Sequence, residues 1–366
     1  MQIKFDATKD RSLQQEIRKS ISQYFKDRNI SPNGDYRMVV KTIALFTIFF
    51  VPYFLILFGG LPTWAMWLLT VMMGVGVAGI GMGVMHDACH NSYSSNPTVN
   101  KILSYTINLI GGNRFNWINQ HNVKHHTYTN VYGIDEDLEG GSLIRLSPYA
   151  KHRWFHRFQH IYAGILYFLG TTGWVTYKDW RQFFDSYREK EKHPKVNFTK
   201  EFLILLGSKL FLYAYLIVIP YLVLDLSFWA VLVGFFTIIF TSGFILTLTF
   251  QMAHVVENTS HYESEPQQDI PDSWFVHQIK TTSDFARNSS LLNWYLGGLN
   301  FQVEHHLFPN ICHVHYRELS KIVKDKVESY GMRYNEFPTF RKAIVSHFKM
   351  LKKYSSPTEV AEPQMA

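Results

Sequence analysis

Three stretches of the chain bring histidines together at ligand spacing: His86 and His90 in HDACH, His121, His125 and His126 in HNVKHH, and His305 and His306 in QVEHH. A neutral imidazole presents one nitrogen lone pair and suits iron, zinc and copper alike. A lone histidine is usually a satisfied core or surface residue, but this density exceeds what one tetrahedral or octahedral ion can use. The pattern points to two metals. On a helix, residues four apart share a face and neighbours diverge by about 100°. The spacing therefore predicts His121 and His125 on one side of their helix and His126 on another.

The elements that must hold these rings are legible in the hydropathy. The mean over 366 residues is near zero, yet long apolar runs alternate with charged stretches, and aromatic residues reach 16%. This is a membrane-protein pattern. Four runs, 42–58, 64–85, 202–224 and 228–253, have the length of bilayer-crossing helices. Pro52 should kink the first, and Gly74, Gly76, Gly79, Gly81 and Gly83 in the second permit close helix contacts in lipid. The turns joining them, around Gly59 to Pro62 and Asp225 to Ser227, are short. The expected fold is an all-α integral membrane protein with four transmembrane helices in two hairpins. A helical cap from 86–200 and 254–354 would carry the histidines, all within one domain over 1–366.

Two further apolar stretches are read as interfacial or re-entrant. Ile102 to Gly112 is too short to span. If Ile161 to Tyr177 crossed once, the second and third histidine clusters would lie on opposite sides of the membrane.

Charge supports this arrangement. Of 36 Lys and Arg residues, only Lys209 falls within the four runs or their turns, and basic residues concentrate on the cytoplasmic side. The cap, the N-terminal segment 1–38 and the C-terminus are therefore expected there, with Lys209 snorkelling or marking a later helix start. The net charge of +7 fits orientation and anionic lipid better than nucleic acid, for which no role is expected. An amphipathic run from Leu13 to Phe25 could lie on the membrane surface, no signal-peptide core is visible, and 355–366 reads as a loose tail. Two cysteines, Cys89 and Cys312, support neither a disulfide framework nor a cysteine metal site.

HDACH, HNVKHH and QVEHHLFP, in this order around two membrane hairpins, resemble the three histidine boxes of membrane fatty acid desaturases, over nearly the whole chain. Gln302, where the third box often has histidine, resembles the front-end, delta-6-like subfamily, which inserts a double bond between an existing one and the carboxyl end. The resemblance implies two iron ions that use O2 and two external electrons to remove two hydrogens from neighbouring methylenes. Unactivated C–H bonds need a strong oxidant, and imidazole-ligated iron with open positions suits oxygen chemistry. The implied ligands are His86, His90, His121, His125, His126, His254, His305 and His306. Gln302 and Asp87 are candidates for the layer behind them. Asp135, Asp137 and Glu304 could accept the remaining ring N–H groups.

The substrate would be a fatty acyl chain, such as linoleoyl, on coenzyme A or a lipid, in a tunnel that Trp117, Trp294 and Tyr295 could line. Front-end relatives often carry a fused cytochrome b5 domain with HPGG. Here that motif is missing, so electrons are expected from a separate ferredoxin or cytochrome b5. His152, His156 and His160 read as a basic surface helix, His313 and His315 as structural or near the lipid headgroups, and His193, His261, His277 and His347 carry no signal. The rival readings are hydroxylation of an acyl or sphingoid chain on the same scaffold, a zinc-dependent membrane hydrolase, and a metal transporter, which would place polar ligands within its spans.

Overall fold

The computed structural model describes residues 3–138, 141–264 and 269–357, so the expected tail lies, from 358 on, outside the described residues. Four of its helices are long and apolar enough to cross a membrane: Tyr36–Phe58, Thr63–Cys89, Phe198–Val223 and Phe228–His254. The first and third begin before their apolar runs because polar residues cap them. Asp35 accepts the Arg37 N–H at 2.9 Å and starts the first span, and Asn197 accepts the Lys200 N–H at 3.0 Å to start the third. The two interfacial stretches break into pieces such as Thr106–Leu109, Gln159–Leu166 and Thr172–Val175, too short to cross.

The chain folds as two compact units. One comprises residues 35–119 and 165–248 and holds most of the four spans. Two glycines explain how closely these helices pack. A Cβ on Gly74 would stand 2.6 Å from the Thr241 Cβ of the fourth span, and one on Gly76 would stand 3.0 Å from the Phe49 backbone of the first. Such contacts replace the hydrophobic drive that lipid does not supply.

Lys209 departs from expectation. It neither snorkels nor delays its helix, which begins at Phe198. Instead its Nζ is buried, 2.5 Å from Asp179 Oδ2 and 2.7 Å from the carbonyl oxygens of Gly111 and Trp174. A buried cation needs this complete a set of acceptors to offset its desolvation.

The other unit comprises residues 1–34, 120–164 and 249–366. Its N-terminal helix, Arg11–Arg28, forms where the amphipathic pattern places it, but its apolar face does not serve a membrane. Leu13, Ile17 and Ile21 are buried in a protein core with Phe275, Leu319, Val323 and Val327. Each contributes on the order of 1.5–3 kcal/mol through burial. Two short parallel strand pairs fasten distant segments: β1 (Val131–Tyr132) to β2 (Tyr262–Glu263), and β3 (Asp284–Phe285) to β4 (Glu336–Phe337).

Candidate metal centre

The second histidine cluster lies in a π-helical segment, Ile118–His125. Its backbone bonds skip five residues rather than four, and the His126 N–H donates to the His121 carbonyl at 3.0 Å. This winding revises the expected split. The Nε2 atoms of His121 and His126 come within 3.2 Å, while His125 Nε2 lies 3.2 Å from His306 Nε2. The 3.6-residue period assumed from sequence does not apply to this turn.

The third cluster sits on the short helix Gln302–Leu307, and His254 ends the fourth span. Their side chains converge with those of the second cluster in two overlapping groups. One is His125, His254 and His306; the other is His126, His305 and His306; in each, the nitrogens lie within 4.8 Å of one another. All five are buried. His121 stacks on His125 with ring centroids 5.2 Å apart and groups with it and Asp137.

Outer partners decide which nitrogens are left to bind a metal. His125 Nδ1 lies 3.1 Å from both Asp135 oxygens, His306 Nδ1 is 2.8 Å from Gln278 Oε1, and His254 Nδ1 faces the Thr281 carbonyl at 3.4 Å. Each partner only accepts, so each Nδ1 is assigned as the N–H and each Nε2 carries the lone pair. Two bare Nε2 atoms at 3.2 Å cannot bond one another. A proton or a cation between them removes the conflict, and for a cation His254 Nε2, buried without a hydrogen-bond partner among the described residues, completes three donors. The arrangement fits metal.

Electrostatics agree. Burial alone would lower the pKa of His125, but Asp135 in contact and Asp137 close by outweigh it, leaving a ring more basic than an ordinary histidine. Burial would likewise raise Asp135, yet His125 and the N–H groups of Asn130 and Asp137 hold it below the ordinary carboxylate value. His306 is pushed far down, first by burial and then by His126, and stays neutral. A basic ring held by a carboxylate is a strong donor.

In the other unit, His86 and His90 lie with ring centroids 4.9 Å apart, and Trp117 stands edge-on to both at 5.6 and 5.9 Å. Asp87 Oδ1 is 3.8 Å from His86 Nδ1. Cys89 packs with Met85, Ile107 and Trp117.

Of the other acids, Asp137 lies 3.6 Å from His125 Nδ1 and accepts from Gln120 Nε2 at 2.6 Å. Glu304 instead accepts from Tyr334 Oη at 2.8 Å, a hydroxyl placed also 2.6 Å from Asp284. Burial raises both carboxyls, Asp284 to about 6 and Glu304 well above its ordinary value. Gln302 is 1% exposed, and its Oε1 has no hydrogen-bond partner among the described residues. Trp294 is 37% exposed.

Three histidines set aside from the clusters, His156, His315 and His347, bond to backbone. His156 is buried with both nitrogens engaged by backbone, His347 Nδ1 meets the Val255 carbonyl at 2.8 Å, and His315 Nε2 meets that of Asn33 at 3.3 Å. His156 sits in a short 3-10 turn, Trp154–Phe158, rather than on a continuous helix. Gln278 and Thr281, which orient His306 and His254, were not identifiable beforehand because they lie far along the chain from HNVKHH and form no spacing pattern with it.

The fatty acid desaturase family profile matches residues 62–338. The chain is similar to the sn-1 linoleoyl-lipid 6-desaturase of Synechocystis sp., 34% identical over 351 residues that cover 96% of this chain and 97% of the relative. It is 33% identical to the sn-1 linoleoyl-lipid 6-desaturase of Arthrospira platensis, covering 94% and 92%. With the acyl-lipid (8-3)-desaturase B of Dictyostelium discoideum the identity is 32%, over 96% of this chain and 77% of the relative. Histidine boxes, four apolar helices and a profile match over most of the chain lead to one conclusion: this protein belongs to the fatty acid desaturase family.

Proposed function

We propose that this enzyme is a front-end desaturase that adds a cis double bond on the carboxyl side of an existing one, with lipid-linked linoleoyl chains as the substrate class. The relatives' names and Gln302 within QVEHH support the position of the new bond. The geometric observation that carries the chemistry is the pair of convergent histidine triads that overlap at His306.

In this reading His86, His90, His121, His125, His126, His254, His305 and His306 bind two iron ions. Iron supplies redox chemistry with O2 that no protein side chain can perform. The balance is simple: the acyl chain gives two hydrogens, a donor gives two electrons, two protons are taken up, and O2 leaves as two waters. Asp135, Gln278 and the Thr281 carbonyl keep three rings in the ligating tautomer. Gln302 and Asp87 lie in the layer behind the ligands, with the Gln302 amide available to orient a ring or a water.

Basic-residue placement supports a cytoplasmic location for the termini and both cap segments, with the four spans paired as two hairpins. All segments would then act as one desaturase domain. Electrons would come from a separate ferredoxin or cytochrome b5 type donor.

The test is expression in a desaturase-deficient host fed defined saturated and unsaturated fatty acids, with double bonds located by mass spectrometry. A new bond on the carboxyl side of an existing one is expected. A bond in a saturated chain would sink the front-end assignment, and hydroxylated product would replace desaturation itself.

A further inference from the structure

Four residues beyond His126 stands Asn130, fully buried, with φ 58, a left-handed conformation that asparagine tolerates better than most residues. Among the described residues, its side chain is bonded to no ligating nitrogen. Its Nδ2 lies 2.9 Å from the His254 carbonyl, 3.0 Å from that of Ser260 and 3.2 Å from that of Thr281. Its backbone N–H donates to Asp135 Oδ2 at 2.9 Å. The two anchors matter because of what else they hold: Thr281 O faces His254 Nδ1, and Asp135 faces His125 Nδ1.

We propose that Asn130 is a positioning residue for the metal site of His125, His254 and His306, setting two of its rings through their outer partners. The proposal rests on the two-iron reading above. The neighbouring Thr129 extends the same connection to the third ring. Its Oγ1 lies 2.7 Å from the His125 carbonyl, 2.8 Å from Gln278 Oε1 and 3.1 Å from His306 Nδ1. One dipeptide thus reaches the supports of all three ligands.

The chemistry selects asparagine. Aspartate would set a carboxylate against three carbonyl oxygens, alanine would lose the donors and strain the backbone, and glycine would keep the backbone but lose the donors. An ordinary turn asparagine needs one carbonyl; here three converge from separate segments. Outer partners of this kind change metal affinity by roughly 10–100-fold.

The experiment compares full-length wild type with N130G and N130D. Each is loaded with ⁵⁷Fe, dialysed against a chelator, and measured for iron per chain, Mössbauer spectrum and melting of the apo-protein. Wild type should retain two irons. The variants should lose one selectively, with at least a tenfold weaker site, an altered signal for that iron and a larger loss than their lowered apo-protein melting temperature accounts for. Two irons retained with an unchanged spectrum would overturn the proposal, as would iron loss that merely tracks a lower apo-protein melting temperature. Fewer than two irons in wild type would overturn the two-iron reading, and this proposal with it.

Discussion

Two of the stretches that carry histidines four residues apart meet opposite fates. His121 and His125 belong to a buried cluster of rings whose nitrogens converge. His152 and His156 have the same spacing, and His156 is equally buried at 2% exposure. Yet His156 Nδ1 accepts the Arg153 N–H at 3.1 Å while its Nε2–H donates to the Ser142 carbonyl at 3.0 Å, and His152 Nε2 meets the Ser355 carbonyl at 2.9 Å. In the first stretch, Asp135 engages only Nδ1 of His125 and leaves Nε2 to face His306. Between these two stretches, the difference lies in the nitrogen left over and not in the spacing.

That contrast can be broken most severely at His306, the ring common to both histidine groups. His306→Ala should abolish desaturation and lower bound iron while leaving membrane insertion intact, with activity at least about 100-fold down because a ligand matters more than its outer partner. Product analysis and iron content check this; retained activity would remove His306 from the ligand set. Asp135→Asn should act more mildly. It keeps the shape but removes the charge beside His125 Nδ1, so metal affinity should fall roughly 10–100-fold, as a chelator titration would read. Smallest should be His156→Ala, with iron and turnover close to wild type and about 1–3 kcal/mol of stability lost with its buried bonds, seen as a lower melting temperature. Loss of iron in that variant would erase the distinction between the stretches.

Much of this was legible in the sequence. Runs of uncharged apolar residues have few fates other than spanning helices, so Thr63–Cys89 and Phe228–His254 could be placed within a few residues. The boxes announced themselves by residue type. What stayed hidden depends on contacts between distant segments. The π winding at Ile118–His125 carries no periodic signal, and it changes which rings meet. Lys209 looked like a snorkelling cation until Asp179 appeared beside it. Leu13, Ile17 and Ile21 form an apolar stripe that would suit a lipid surface, and only the fold shows it turned onto Val323 and Val327. Asn130 and Gln278 are ordinary polar residues in sequence; their partners His254 and His306 lie far along the chain.

The most direct test is to purify the protein, determine its metals, and follow turnover of a linoleoyl lipid with and without O2 and an electron donor. Two irons per chain, with desaturated product only when both O2 and donor are present, is the expected result. One zinc per chain with turnover independent of oxygen would contradict the two-iron desaturase centre outright.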